Sequence, residues 1–307
     1  MPSLKQLAER KEALSPGHRA CAGCGAPIAL RQVLLSSDKP VILVGATGCL
    51  EVTTTIFPFT AWNIPFLHNA FENAAATASG VEAMYKSLKK QGKYNKDVNI
   101  VVFGGDGGTY DIGLQSLSGA MERWHNLLYV CYNNEAYMNT GIQRSSATPK
   151  GASTTTAPAG KVQQGKEVFK KDLTGIIAAH NVAYVAQAVV GDWMDLTKKA
   201  EKAFSITGPK FLNIWQPCRL GWGYKPELTA EIGRLAVETC YWPLFEVIDG
   251  KWVLNKKPAQ KKPVVELLKT QDRFRHLFKP GNEKLLQDIQ EEVDRRWEEL
   301  LAKCQAK

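Results

Sequence analysis

Asn99-Ile-Val-Val-Phe-Gly-Gly-Asp106-Gly-Gly-Thr109 is a short apolar run that stops abruptly in a glycine-rich turn. Five residues of this kind, bounded by turn signals, read as a strand buried on both faces. Residues 111–123 then read as a helix. Glycines let the backbone approach a ligand closely, and a helix N-terminus favours anions. Asp106 does not suit a bare phosphate, because like charges repel. It suits a divalent cation held between the carboxylate and a diphosphate. The bland alternative is a tight turn with a capping aspartate. The loop lacks the Gly-Lys-Ser/Thr end of a Walker A and is not the G-x-G-x-x-G dinucleotide fingerprint.

The same rhythm extends in both directions. Residues 127–132 (LLYVCY) form the next buried strand, and Asn133-Asn134 follow at its end. One strand–helix–strand unit brings that end beside Asp106, so the Asn133-Asn134 pair can offer a second oxygen ligand. Upstream, Pro27 opens a helix over IALRQVLL, Val41 to Val44 is a strand, and residues 71–90 are a helix. Downstream, residues 134–164 lack apolar periodicity, as functional loops do. Helix 167–180, strand 182–188, helix 192–205 and strand 210–215 complete the pattern. Alternating strands and helices predict an α/β fold, a parallel sheet with helices on both faces. Ligands in such sheets bind at the carboxyl ends of the strands. Residues 225–307 break the rhythm with a helix near 228–240, extended segments and a charged helix near 283–303. The expected organisation is an arm over 1–20, a binding domain over 21–224 and a C-terminal extension over 225–307 that contacts the domain or a neighbouring subunit.

Seven cysteines occur: Cys21, Cys24, Cys49, Cys131, Cys218, Cys240 and Cys304. Cys21 and Cys24 form a C-x-x-C turn. Cys49 follows the strand at 41–44, and Cys218 follows the strand at 210–215, so both belong to the edge that carries Asp106. Four thiolates serve zinc or an iron–sulfur cluster. A C-x-x-C pair with two solitary cysteines fits a [4Fe–4S] cluster better than a zinc ribbon, which has a second C-x-x-C; unligated thiols remain a third reading. Cys131 lies within an apolar strand and reads as core.

The 307 residues are 44% hydrophobic and 22% charged, with a net charge of +9. This composition is that of a globular protein. No apolar run reaches the ~18 residues that span a bilayer, and the first twenty residues hold no apolar signal core. A cytoplasmic protein without a membrane partner is therefore expected. The basic balance suits an acidic partner. The lysine-rich stretch 256–262 is interrupted by Pro258 and has no aromatic residues for base stacking, so it reads as a solvated loop. A zinc-stapled nucleic-acid-binding protein would explain the charge and the C-x-x-C, but not the glycine–aspartate loop or the sheet rhythm.

Six segments carry a further signal: HRACAGCGAPIAL (18–30), GATGCLEVTTTIFP (45–58), HNAFENAAATASG (68–80), GGDGGTYDIGLQSLSGAMER (104–123), YNNEAYMNTGIQRSSATP (132–149) and QPCRLGWGY (216–224). Together they resemble the β subunit of pyruvate:ferredoxin oxidoreductase, or pyruvate synthase, in the 2-oxoacid:ferredoxin oxidoreductase family. The resemblance runs from about residue 15 to 280, without departure at the ligand positions. It implies the thiamine-diphosphate-binding fold. It implies that Cys21, Cys24, Cys49 and Cys218 ligate a [4Fe–4S] cluster. Asp106, the Asn134 side chain and the Ala136 carbonyl would bind Mg²⁺ on the diphosphate. Thr47, Gly48, Gly107 and Gly108 would line the cofactor, and Asn139 would face thiamine and substrate. His68 would be a further active-site residue, or else a hydrogen-bonded structural histidine.

The implied reaction is coenzyme A-dependent oxidative decarboxylation of pyruvate, or its reverse, with electrons passed to ferredoxin. Oxalate or another 2-oxoacid is the alternative substrate, and a non-redox thiamine enzyme is a more distant reading. The resemblance also implies partner α, γ and δ subunits. The carboxylate that faces the aminopyrimidine would come from another chain, and Glu51, Glu72 and Glu135 are not assigned that role.

Overall fold

The computed structural model describes residues 3–306. The first two residues of the expected arm, and the last of the extension, lie outside the described residues. Eight strands form one sheet: β1 Val41–Ala46, β2 Phe66–Asn69, β3 Asn99–Gly105, β4 Leu128–Asn133, β5 Tyr184–Val189, β6 Lys210–Trp215, β7 Phe245–Ile248 and β8 Lys251–Leu254. Their order is β2-β1-β3-β4-β6-β5-β7-β8. The first six pair in parallel. β7 pairs antiparallel with β5 on one side and with β8 on the other. The sheet is thus mixed. The chain past residue 225, expected as an appendage, supplies two strands to the same sheet.

Within each central strand the apolar run divides between two cores. Ile100, Val102, Tyr129, Cys131 and Phe211 face one core. Val101, Phe103, Leu128, Val130 and Leu212 face the other. Side chains alternate with period two, so a run that is apolar throughout requires cover on both faces. On the second face lies helix Gly25–Leu35. Its buried Ala26, Ala29, Leu30, Val33 and Leu34 follow helical spacing, with Pro27 in the first turn. On the first face lie helices Ala74–Lys90 and Leu114–Glu122.

Three expectations need correction. β2 was not foreseen, because Phe66-Leu-His-Asn is half-exposed edge strand without an apolar run. The helix expected over 111–123 begins earlier, as a π-helical turn Gly107–Ile112 before Leu114–Glu122. The helix expected over 167–180 shortens to Leu173–Ala178, capped by Asp172 accepting from the Gly175 N–H at 2.9 Å. Its lost turns are used elsewhere: the Lys171 N–H donates to the Ser146 carbonyl at 3.0 Å. Lys166, 4% exposed, donates to the carbonyls of Ser145, Ser146 and Thr148 at 3.4, 3.2 and 2.6 Å. Those contacts order the long loop after β4. No helix among the described residues is long and apolar enough to cross a membrane.

The hairpin β7–β8 is tied to the parallel sheet by Glu246. Its carboxylate accepts from the Tyr184 hydroxyl at 2.7 Å and pairs with Lys202 at 2.6 Å. Burial would raise the Glu246 pKa, but Lys202 and Tyr184 outweigh it and hold it below the usual range. Glu246→Ala is expected to cost about 1–3 kcal/mol, read from the urea midpoint. A folded pKa below the unfolded one stabilises fully above the unfolded value of about 4.3 and is lost as pH falls through the folded value. The difference between wild type and variant should therefore shrink on acidification below about pH 4; a gap independent of pH would refute the ion pair's contribution.

Candidate functional site

The chain leaves β1 to one side for β2 and then crosses to the other side for β3. That reversal opens a crevice at the carboxyl ends of β1 and β3. Thr47 and Gly48 follow β1, Asp106 and Gly107 follow β3, Asn134 follows β4, and Cys218 lies just past β6. These four strands are consecutive neighbours in the sheet. One cleft is lined by Thr47, Gly48, Cys49, Asp106, Gly107, Gly108, Asn134, Ala136 and Asn139, among others. Nine of the residues singled out from the sequence thus share one cavity. Two of its glycines are needed for want of space: a Cβ on Gly107 would lie 2.4 Å from the Tyr137 ring, and one on Gly48 2.5 Å from the Tyr132 hydroxyl.

Asp106 is fully buried. Its Oδ1 accepts from the Asn134 backbone N–H at 3.1 Å and its Oδ2 from the Ser145 hydroxyl at 2.5 Å. Burial pushes its pKa up to about 7, and the Glu135 charge adds to this, against those two hydrogen bonds. The Asn134 side chain directs its amide oxygen at Asp106 Oδ1, 2.9 Å away, and at the Ala136 carbonyl oxygen, 2.8 Å away. In this orientation three acceptors meet at the Asn134 oxygen. Half a turn of the Asn134 amide would convert both contacts into hydrogen bonds.

Glu135, between those two residues, has a left-handed backbone (φ 63°) and a side chain with no exposure. Its carboxylate meets the Arg273 guanidinium at 2.6 Å, the Tyr241 hydroxyl at 2.7 Å and Lys170 at 3.4 Å. Burial would raise its pKa, but the Lys170 and Arg273 charges hold it below the usual range. Arg273 and Tyr241 belong to the C-terminal part of the chain, so that part anchors the turn carrying Asn134 and Ala136. Removing one member of a buried charge pair costs about 3–5 kcal/mol. Glu135→Ala is expected to lose that much by urea unfolding; a loss under about 1 kcal/mol, the level of an exposed pair, would mean the cluster is not stabilising.

Cys21, Cys24, Cys49 and Cys218 feel one another's charge near the adjoining end of the sheet. Cys24 and Cys218 immediately precede helices Gly25–Leu35 and Arg219–Trp222, and Cys49 begins helix Cys49–Thr54. Burial pushes the Cys49 thiol up to about 12, and the charges of Cys218, Cys24, Cys21 and Asp106 add to this. Burial likewise raises Cys24 to about 11, opposed by the Ala26 N–H and assisted by Cys218 and Cys21. The four thiols are therefore within electrostatic reach of one another, and Cys49 also lines the Asp106 cleft. Among the described residues no group of three or more His, Cys, Asp or Glu side chains is placed to hold a single metal ion. Cys131 is fully buried in the core, as read from its strand.

His68 lies outside the set lining the cleft and reaches it through Thr47: Nε2 is 2.8 Å from Thr47 Oγ1 and 3.6 Å from Glu51. Asn139 stands exposed at the rim. The sequence reading missed Ser145, which holds Asp106, and Tyr137, whose hydroxyl donates to the Gly107 carbonyl at 2.8 Å. It also missed Trp222, whose indole N–H donates to the Asn134 carbonyl at 2.9 Å and joins the cysteine loop to the cleft. No spacing rule would have found these, since each depends on a contact between distant segments.

Comparison with known proteins shows the family. The family described as thiamine pyrophosphate enzyme, C-terminal TPP binding domain, matches residues 46–214. Pyruvate synthase subunit PorB of Methanocaldococcus jannaschii is 56% identical over 284 residues, covering 92% of this chain and 95% of that one. Ketoisovalerate oxidoreductase subunit VorB of Pyrococcus abyssi is 44% identical over 281 residues, covering 91% and 90%. The structure of 2-oxoglutarate:ferredoxin oxidoreductase from Magnetococcus marinus shares the fold, with a TM-score of 0.56 at 20% identity over 68% of this chain and 69% of that one. With its sheet, its crevice and these relatives taken together, the chain belongs to the pyruvate synthase subunit PorB family, and is an enzyme subunit of the thiamine-diphosphate-dependent 2-oxoacid oxidoreductase class.

Proposed function

We propose that this chain binds thiamine diphosphate through Mg²⁺ and, beside it, a [4Fe–4S] cluster, forming half the active site of a pyruvate:ferredoxin oxidoreductase. The observation that carries the reading is the Asn134 side-chain oxygen lying 2.9 Å from Asp106 Oδ1 and 2.8 Å from the Ala136 carbonyl oxygen. Octahedral Mg²⁺ with bonds of 2.0–2.1 Å separates adjacent oxygens by about 2.9 Å. A cation thus fits where three lone pairs otherwise repel. Gly107 and Gly108 offer backbone without side chains for the diphosphate, at the start of a helical segment. Thr47 and Gly48 line the opposite wall, while Asn139 and the Thr47–His68 pair stand where substrate would arrive.

Cys21, Cys24, Cys49 and Cys218 supply four ligands for the cluster. Buried thiols that raise one another's pKa ionise only when a cationic centre compensates them. When bound, thiamine diphosphate supplies the electron sink for decarboxylation of the 2-oxoacid, and the cluster the outlet for its electrons. The chain's own part is to hold the diphosphate with Asp106, Asn134 and Ala136, to keep the cleft beside Cys49, and to exclude water with Phe71, Tyr132 and Tyr137. Coenzyme A as co-substrate, ferredoxin as acceptor, and α, γ and δ subunits as partners complete the proposal. The subunit names of the relatives support the assembly, and the relatives named pyruvate synthase subunit, 44–56% identical, support pyruvate, with the ketoisovalerate oxidoreductase subunit at 44% as the ground for a second 2-oxoacid.

Metal analysis of the anaerobically purified complex tests the reading. About four irons and four sulfides per chain are expected after subtracting partner clusters. Stoichiometric zinc without sulfide would overturn the redox assignment. Turnover with pyruvate, ketoisovalerate and oxalate then ranks the substrates.

A further inference from the structure

Gln216 stands between the two cofactor sites and has no role in the arrangement above. It follows β6 and is 1% exposed. Its backbone N–H continues the ladder to the Asn133 carbonyl at 2.9 Å. Its side chain meets the Asn134 amide nitrogen to nitrogen, with Nε2 at 3.2 Å. Its Oε1 is buried without a hydrogen-bond partner. The same oxygen fills the space that a side chain on Gly25, the residue after Cys24, would need: a Cβ there would lie 2.7 Å from it.

Two donors facing each other must be resolved by turning one amide. Turning Asn134 makes its oxygen accept from Gln216, but points its nitrogen at Asp106 and Ala136, where an N–H cannot ligate a cation. Gln216 Oε1 then stays orphaned, at the cost of an unsatisfied buried acceptor. Turning Gln216 instead lets Oε1 accept from Asn134 Nδ2. Gln216 Nε2 then takes the buried position beside Gly25, so what selects this turn is the cation: Asn134 keeps its oxygen on the point it shares with Asp106 Oδ1 and the Ala136 carbonyl.

We propose that Gln216 is a positioning residue: by accepting from the Asn134 amide nitrogen, it keeps the Asn134 oxygen directed at the diphosphate's metal ion, and it ties that ligand to the Cys24–Gly25 turn. The inference rests on the Mg²⁺ reading given above. Outer hydrogen bonds that orient metal ligands typically contribute about 10–100-fold in affinity.

The test uses the assembled complex, stripped of thiamine diphosphate and Mg²⁺ and titrated with both by calorimetry, with iron content measured in parallel. Gln216→Leu removes the acceptor at similar volume, and should raise the Mg²⁺ concentration for half-saturation by about 10–100-fold with iron unchanged. Gln216→Glu keeps an acceptor on either oxygen and should stay within about threefold of wild type, less than the loss of such a bond. An unchanged Mg²⁺ requirement in Gln216→Leu overturns the inference. So does a Gln216→Glu variant beyond that threefold limit, because it would show Gln216 acting as donor. If Gln216→Leu fails to assemble, the Gln216→Glu result decides alone by the same limit. Asp106→Ala in the same assay separates the two levels: if it too keeps the wild-type Mg²⁺ requirement, the metal reading fails. If only Gln216→Leu keeps it, the metal reading stands and the role of Gln216 falls.

Discussion

Asp106→Ala is expected to empty the complex of thiamine diphosphate while leaving its iron content near that of wild type. Asp106 is the one carboxylate among the three converging oxygens, and without it the site offers two neutral oxygens to a divalent cation. Loss of a hydrogen bond to a metal ligand costs about 10–100-fold in affinity; loss of the charged ligand itself should exceed about 100-fold by the same measure. Alanine relieves a buried charge but leaves the Asn134 N–H and the Ser145 hydroxyl without their acceptor, so the urea midpoint is measured alongside to separate cofactor loss from unfolding. Calorimetric titration with thiamine diphosphate and Mg²⁺ is the measurement. Full cofactor occupancy in the variant would sink the metal assignment.

The second large effect is expected at Cys218. Cys218→Ala should lose the cluster or leave it labile, with iron and acid-labile sulfide falling together. The thiol sits at the head of helix Arg219–Trp222, where the N–H groups of Gly221 and Leu220 favour its thiolate. Burial and the Cys21 charge work against ionisation, and the pair of opposing influences is that of a ligand waiting for a cationic centre. Cys131→Ala is the control: its thiol is fully buried in the core between strands, and iron should not change. An unchanged iron stoichiometry in Cys218→Ala would remove it from the ligand set.

The two experiments probe features of different legibility. Asp106 announces itself in the sequence, because an aspartate among four glycines after an apolar strand has few other uses. Cys218 is a solitary cysteine. Only the order β1-β3-β4-β6 makes its strand end a near neighbour of Cys49 and Asp106. The supporting residues were less legible still. Glu135 and Arg273 are 138 positions apart, and neither residue type nor spacing links them. Lys166 reads as an ordinary surface lysine until three carbonyls are seen to close on it.

The local terms that shape a chain act over a few residues. Apolar runs between turn signals, glycines where a ligand approaches and a proline in a first helical turn were enough to read β3, β4 and β6, the α/β class and the loops that bear the chemistry. Strands β2 and β8 are short and half-exposed, and β7 is short and interrupted by Glu246, so they carry no such signal and their pairing comes from the sheet they join. The sequence by itself singled out, by residue type and place, the candidates proposed to bind a metal, a diphosphate or a cluster. Tertiary structure alone decided their company: which strand ends are adjacent, which way the Asn134 and Gln216 amides face, and which buried charges pin the loop between them. The reason is physical, since hydrogen bonds and ion pairs between segments far apart in sequence exist only once the sheet order has brought those segments together.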